Sequence, residues 1–593
     1  MIGREFAVPL VASVARVSRE EALDLLGEAE RAGVVEAVAG DIATWRFAHA
    51  LYQEAAYESV PASARPRLHQ RVAERLEQLH ADDPDAVIAE LAHHHHRALA
   101  VGDAELAHAR ARRAAERAAA LMAYEQSAQH HEQAAAALLH CEPVDPLRRF
   151  ETLLALAGAH RLCGERTRSR EVLTEAMQIA RSQGRAQDFA RAAIGFCDPA
   201  DWAVHDPPAR AAIEEASTRL GSERGVLAAR VATRVAWLSS RFMQRDAGQR
   251  ALALAREHGD PQAELEAVYT MQLVLAGPDG LAARAELADQ LPELGRRVAS
   301  RDLALIGLID AASDQLERGD LAGARARRAA AGALAGATPH TALAWHLAIF
   351  DTGMALLEGR LEAAADSMHE ELTAGQRIEH PYAQGCYAAH RADLHGLRGE
   401  PEGISAWFEP ALRARGGPRH WIGATLARAE LAAGREEAAR AMFAELAAAR
   451  FEDVLPGIRY LRSLTELAHL CADLGDADAA ARLRDLLAPY ERHHAVMAAP
   501  VLYGGPVAFA LARLADVLGR GDDAAELFAC ARSDCDDLGA LPYRARVLFE
   551  HGRLCARRGE RRAARELLQE SAVLAESLGM QELAASARAV LER

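Results

Sequence analysis

The chain has 593 residues, 50% hydrophobic, 26% charged and only 5% aromatic, with a formal net charge of −16. At roughly 100–200 residues per domain, this length implies several domains or one long repeat array. All 69 basic residues are arginine, a composition that fits a GC-rich genome. The lysine required by a P-loop, a protein kinase or a Schiff-base enzyme therefore has no candidate here.

The acidic balance argues against a nucleic-acid-binding surface, which should be basic. No run reaches the ~18 uninterrupted apolar residues of a membrane span. The first residues, Met1 to Phe6, lack the long apolar stretch of a secretory signal. Eight scattered cysteines, the nearest pair being Cys530 and Cys535, lack zinc-ligand or CxxC spacing. They read as free thiols in a reducing cytoplasm.

Residues 1–80 differ from the rest. Ser18 and Glu21 form a capping box, predicting a helix to about Ala32 with Ala22, Leu25, Leu26 and Ala29 on one face. Gly33 ends it. Val34–Val38 and Ile42–Phe47, separated by Gly40-Asp41, predict a hairpin. Two further helices are expected over Leu51–Val60 and Pro66–Leu79. Helix, helix, hairpin is the layout of a winged-helix module. Its candidate recognition helix carries Glu20, Glu21, Asp24, Glu28 and Glu30 against Arg19 and Arg31. Such a helix would meet phosphate repulsion in a DNA groove, so no direct nucleic-acid contact is expected.

From about residue 81 to 593 the sequence reads as helix almost without break, and it repeats. Leu431-Ala-Ala-Gly434-Arg-Glu-Glu-Ala-Ala439 has echoes around Gly319, Gly359, Gly475 and Gly559. In each, a glycine closes one helix and an alanine follows five positions later. The glycine supplies a left-handed C-cap, and the alanine lets the next helix approach closely. Glycines 319, 359, 399, 434, 475, 519 and 559 are spaced 40, 40, 35, 41, 44 and 40 residues apart. This is a helical hairpin of about 40 residues, longer than the 34 of a standard tetratricopeptide repeat but related in kind. Less regular copies run back through Asp246 and Gly164, for about twelve hairpins in all. One hairpin cannot bury its own apolar faces, so the copies should stack into a right-handed superhelix. Asp206-Pro207-Pro208, Gly277-Pro278 and Gly416-Gly417-Pro418 read as joints between hairpins.

No catalytic constellation emerges. His93-His94-His95-His96 is the most conspicuous run, but consecutive imidazoles point around a helix, whereas a metal site on one helix wants i and i+4. We read it as one helix whose buried face uses Leu91, Ala92 and one or two histidines. His130-His131 and His493-His494 are read likewise, so no metal ligand is assigned. Asp82-Asp83-Pro84-Asp85 lacks calcium-loop spacing, and Asp85 is placed to cap the following helix. Arg110–Arg113 and Arg557–Arg562, flanked by glutamates at helical spacing, read as solvated faces. Glu214-Glu215 has no evident partner. Trp237, Trp345, Trp407, Trp421 and Tyr382 are candidate groove aromatics, though such residues in hairpins usually serve the core. A cluster of shifted carboxylates in the groove would instead mark an enzyme.

As a unit, Ile2-Gly3-Arg4-Glu5-Phe6, Gly33-Val34-Val35, Trp45-Arg46-Phe47-Ala48-His49-Ala50-Leu51, Glu54-Ala55-Ala56-Tyr57, Arg67-Leu68-His69 and Ala73-Glu74-Arg75-Leu76 form a distinctive order. This order resembles the segment after the nucleotide-binding core of STAND-class signalling ATPases, LuxR-type regulators among them. Phe509–Leu514, Gly539-Ala540 and Leu578-Gly579-Met580 resemble the distal arm of the same family. The resemblance spans nearly the whole chain. It is strongest over residues 2–140 and 505–580.

In that family a P-loop ATPase precedes the winged helix, and LuxR-type members end in a helix-turn-helix. Neither lies in these 593 residues. The resemblance therefore implies a truncated frame, a split subunit or a free-standing derivative, with ATP or ADP bound only by an ATPase core supplied elsewhere. It places the nucleotide-phosphate-sensing histidine at His49, a residue that on its own chemistry also suits a hydrogen bond between wing and helix. The expectation is an all-α tetratricopeptide-like superhelix, residues 81–593, preceded by a winged helix, residues 1–80. It is a non-enzymatic sensor arm that binds a protein, peptide or small-molecule effector, with a P-loop ATPase among the candidate partners. The alternative is a free-standing protein- or peptide-binding adaptor.

Overall fold

The structure, a computed structural model, describes residues 2–38, 43–198, 200, 206–239, 245–298, 301–335, 341–400, 404, 408, 419–497 and 502–592. The chain forms two units, Met1–Ala192 and Ala193–Arg593, and is an all-α helical-repeat protein with a few short strands.

The first unit opens with strand β1 (Glu5–Ala7), helices α1 (Val8–Ala15) and α2 (Arg19–Arg31), then strands β2 (Val35–Ala37) and β3 (Thr44–Phe47). The strands make an antiparallel sheet in the order β1-β3-β2, with Phe6 opposite Trp45 and Val35 opposite Phe47. The expected hairpin is thus present, its Gly40-Asp41 turn lying outside the described residues. Strand β1 was not foreseen, because three residues are too few for a period-2 signal.

The Ser18 hydroxyl accepts the Glu21 N–H at 3.0 Å, capping α2. Ala22 and Leu26 enter a small core with Phe6, Val35 and Trp45. Leu25, expected on that face, is instead 54% exposed. It lies about 60° round the helix from Ala22, and a core this small covers only the narrow stripe. The acidic residues of α2 all face solvent.

Helices α3 (Ala50–Ser59), α4 (Arg65–Leu79) and α5 (Ile88–Arg97) follow. Leu10 and Val14 of α1 pack against Val72 and Leu76 of α4 and Leu91 of α5. The small module therefore shares a core with the first repeat helix inside the first unit.

The second unit carries the repeat in its clearest form. Gly319, Gly359, Gly399, Gly434, Gly475, Gly519 and Gly559 all have positive φ. The residue after each donates backward five positions, as Asp320 N–H does to the Gln315 carbonyl at 2.8 Å and Glu560 N–H to the Cys555 carbonyl at 2.9 Å. This is the Schellman closure that the glycine pattern predicts. Five positions on, Ala324, Ala364, Ala439, Ala480 and Ala564 are buried.

Two features depart from a simple open superhelix. First, the array returns on itself. Leu361, Leu394 and Leu397 share a core with Ala545, Met580 and Ala584, and a Cβ on Gly359 would meet Leu578 at 2.7 Å. Second, a fully buried hairpin, β4 (His494–Met497) and β5 (Leu502–Pro506), interrupts the helices. Strand β4 packs on helices Asp302–Glu317 and Tyr460–Leu474, and β5 reaches helices Thr341–Glu358 and Val507–Val517. His494, expected on a helix, instead begins β4 and faces the Tyr503 hydroxyl at 2.8 Å. The run from Ala495 through Val507 contains a Gly-Gly and two prolines, which break the helical period. Among the described residues, no helix is long and apolar enough to cross a membrane.

Candidate functional site

Inside the second unit, the first helices of successive hairpins surround a cavity of about 400 Å³. Its walls come from Ala383–Arg398, Arg419–Ala432, Tyr460–Leu474, Leu541–Arg557 and Gln581–Leu591. The cavity is charged, and its charges are cross-braced. Arg462, 2% exposed, pairs with Glu466 one turn on and donates to Asp393 Oδ1 at 2.8 Å. Arg428 donates to Glu466 Oε2 at 3.2 Å and to Asp473 Oδ2 at 3.3 Å. Arg513 also binds Asp473, while Glu550 pairs with Arg553 at 3.1 Å.

Burial opposes charge throughout this cluster, and the neighbouring partners decide the outcome. The Arg462 and Arg428 guanidiniums hold Glu466 well below the carboxylate range despite its burial. Asp473 is lowered the same way by Arg513 and Arg428. For Asp393 burial wins, and its pKa rises. Two donors remain in surplus. Arg462 Nε is buried without a hydrogen-bond partner. Arg546 lines the cavity without a carboxylate partner among the described residues; it donates to the Gly396 carbonyl at 2.7 Å and stands 5.3 Å from the Tyr543 ring. Its surroundings pull its pKa down, chiefly through burial. Guanidinium N–H groups of this kind recognise a carboxylate or phosphate, here within a lining of six carboxylates and four arginines.

Shifted carboxylates also occur elsewhere in this unit. Burial, with Asp314 nearby, raises Asp310 to about 7, and burial raises Glu317 to about 8. These two line a void of only about 30 Å³, against the Arg284–Asp314 pair. That volume admits a water molecule but not an organic substrate.

The sequence candidates fall as follows. His49 is the N-cap of α3; its Nδ1 accepts the Leu51 N–H at 3.2 Å, and its ring is exposed beside Tyr52. Trp237, Trp345 and Trp421 are core residues, Tyr382 is half-buried, and Trp407 lies outside the described residues. The aromatic rings on the cavity wall are Tyr503, Tyr543 and Phe549. Asp85 does not cap α5. It sits within the turn Pro84–Val87 and takes the Arg113 guanidinium at 2.6 Å. Arg112, Arg557 and Arg562 pair on the surface with Glu116, Asp516 and Glu566. Glu215 does have a partner, Arg219, at 2.8 Å.

The histidine run divides. His94 Nδ1 lies 2.8 Å from His69 Nδ1, and both residues line a separate cavity of the first unit together with His93; His95 turns instead to Glu77 at 3.2 Å. Burial lowers His69 to about 4 and His94 to about 3. The cavity arginines went unnoticed in the sequence because Arg462 and Glu466 have the i,i+4 spacing of a solvated surface pair. Distant stretches bury Arg462, among them Asp393 and Gly504 of β5, where a Cβ would meet the Arg462 side chain at 2.8 Å.

No protein-family model matches the sequence, and no curated protein is significantly similar to it. Among solved structures, yeast Tom70 is similar at 14% identity and a TM-score of 0.31, covering 82% of this chain and 95% of that one. The Cut9 and Hcn1 hetero-tetramer of the APC/C gives 15% identity and a TM-score of 0.34, with coverages of 82% and 95%. A STAND protein with a tetratricopeptide repeat sensor from Pyrococcus horikoshii gives 10% identity and a TM-score of 0.29. There the match covers 76% of this chain and 61% of that one. Likenesses of this size assign neither a partner nor an activity to the chain.

Proposed function

We propose that the chain is a non-enzymatic binding arm whose second unit takes an anionic effector in its charged central cavity. The observation that carries this reading is Arg546, a cavity guanidinium that makes no ion pair among the described residues, together with the Nε of Arg462, which has no hydrogen-bond partner among them. About 400 Å³ suits a small molecule or the acidic end of a peptide. The closure of the array beside the cavity couples its occupancy to the packing of residues 355–397 on 545–584. A ligand that prefers one packing would shift its population.

The finer reading follows the family resemblance. Coupled to a P-loop ATPase, such an arm would bias the ATPase between its ADP and ATP states, with the exposed His49 ring available to a nucleotide phosphate. The free-standing adaptor remains the second reading. It is favoured by the exposed apolar side chains of the first unit, Leu25 and Leu51 among them.

Thermal melting of the full chain with citrate, pyrophosphate or a polyglutamate peptide tests the cavity. Saturation at a hundred times Kd adds about 2.7 kcal/mol, so at least one probe should raise Tm measurably, and R546M should abolish the shift. Unchanged melting with every probe, or a shift that survives R546M, would sink the proposal. Co-purification with a P-loop protein that depends on ATP and weakens in H49A separates sensor arm from adaptor.

A further inference from the structure

The first unit holds a second constellation, unrelated to the cavity above. His69 on α4 and His93 and His94 on α5 each offer a ring nitrogen within 4.8 Å of the other two. They open on a cavity of about 580 Å³ that is also lined by Tyr57, Glu54 and Glu90. We propose that His69, His93 and His94 bind one divalent transition-metal ion of the zinc class.

The hydrogen bonds around the rings support this assignment. His69 Nε2 faces the Tyr57 hydroxyl at 3.4 Å, and that hydroxyl accepts an N–H from Arg97 at 2.8 Å. With Nε2–H directed at Tyr57, His69 presents the Nδ1 lone pair to the site, as a partner on the far nitrogen does for metal-bound imidazoles. That lone pair meets His94 Nδ1 at 2.8 Å. Two facing imidazole nitrogens need something between them, a proton or a metal. Two nitrogens at 2.0–2.1 Å from a tetrahedral ion stand about 3.3 Å apart, so the pair has only to open by about half an ångström.

The backbone puts the third ring in reach. His93 precedes His94 on α5 but is exposed to the cavity rather than packed in the core. Its ring centroid lies 5.7 Å from that of His69 and 5.2 Å from that of His94.

Charge and ligand type narrow the ion. Three imidazoles suit zinc, copper, nickel or iron, and disfavour calcium and magnesium, which want oxygen. The nearby Arg97 cation opposes binding, while the Glu54 and Glu90 carboxylates on the cavity wall offset it. Glu90 precedes His93 by three residues, the i, i+3 spacing by which one helix turn presents two ligands. It is the natural fourth ligand, with water as its substitute. The ion would tie α4 to α5, which also meet through Val72, Leu76 and Leu91 and through His95 and Glu77.

The test uses the full chain, stripped with a chelator and dialysed, then titrated with cobalt(II) followed by zinc(II). We expect one cobalt per chain with the visible absorption of a tetrahedral site, displaced by one zinc. H93A is the decisive variant, because its side chain is exposed and its loss leaves the core intact. It should weaken zinc binding by at least about 10–100-fold, as should H69A and H94A. H369A, an exposed histidine of the second unit, should bind as the unaltered chain does. Far-UV circular dichroism of each variant confirms that the helices persist. Failure of the unaltered chain to bind one ion saturably, or equal binding by H93A and H369A, overturns the proposal.

Discussion

The two units differ in the polar side chains they bury. The first places imidazoles in its interior: His69, His94, His108 and His131 are all buried, and burial lowers the pKa of each. The second also buries imidazoles, His390, His469 and His494 among them, and adds a network of ions, with Arg428, Arg462 and Arg513 braced against Asp393, Glu466 and Asp473. An imidazole can enter a core neutral, losing hydration but carrying no charge. A guanidinium cannot lose its charge and must bring carboxylates with it. One helical-hairpin backbone accommodates both solutions, so the repeat specifies the scaffold while the interior polar groups set what each unit responds to.

The largest expected effect breaks the ionic solution. E466A leaves Arg462 and Arg428 facing each other across a partly emptied network, and removing one partner of a buried pair costs about 3–5 kcal/mol. The R462L/E466L double variant removes charge of both signs and should recover much of that loss, since apolar replacement of a buried pair is often neutral. Urea unfolding of both variants measures the difference. In the first unit H131L should cost little at pH 7.5, because the ring it removes is neutral and its Nδ1 has no hydrogen-bond partner. If E466A and H131L cost the same, the contrast between the units is false.

An intermediate effect comes from pH, and it has opposite signs at two buried groups, one in each unit. His131 folds with a pKa near 4, lowered chiefly by burial and then by His130, Arg112, His108 and His160 around it. Its unfolded value is about 6.5. The unfolded chain therefore binds the proton first, and stability present above pH 6.5 is lost as pH falls toward 4. Glu317 folds with a pKa near 8, raised by burial, against about 4.3 unfolded. The folded chain holds this proton, so its contribution is complete below about pH 4.3 and is lost as pH rises toward 8. Hydrogen exchange followed peptide by peptide should show the packing around His131 opening on the acid side and that around Glu317 opening on the alkaline side. H131L should flatten the first slope, and E317Q should flatten the second and stabilise its unit at pH 9, each on the order of 1–3 kcal/mol.

The scaffold was far more legible in the sequence than either site. Gly319 to Gly559 announced the hairpins because a left-handed C-cap admits few residues other than glycine, and Ala439 or Ala564 marked the close approach of the next helix. These are local constraints, readable from one stretch of chain. The sites depend on contacts between distant stretches. His69 is separated from His94 by 25 residues, and the i,i+4 rule for metal ligands on one helix hid a set shared between two. Arg546 reaches Gly396 across 150 residues, which only the closure of the array brings about. The hairpin around His494 was missed because two short strands inside a long helical text leave too brief a signal. Leu25 was misplaced because amphipathic spacing gives the direction of a buried face but not its width.

The smallest effect tests whether the contrast lies in the interior polar groups and not in the backbone. Gly184 in the first unit and Gly434 in the second have φ of +66° and +78°, and a Cβ on either would meet nothing within 4 Å. Their alanine variants therefore carry only the left-handed backbone penalty, about 1 kcal/mol each. Gly359 has the same conformation, φ +82°, but its Cβ would stand 2.7 Å from Leu578 and 3.3 Å from Pro542, so G359A should cost more by forcing the closure apart. Urea midpoints of the three variants decide the matter. Equal losses in G184A and G434A mean that both units use one turn chemistry, and their differences in pH response then belong to the buried histidines and ion pairs. An excess confined to G359A locates the additional constraint of the second unit at its closing contact, where residues 355–397 meet 545–584.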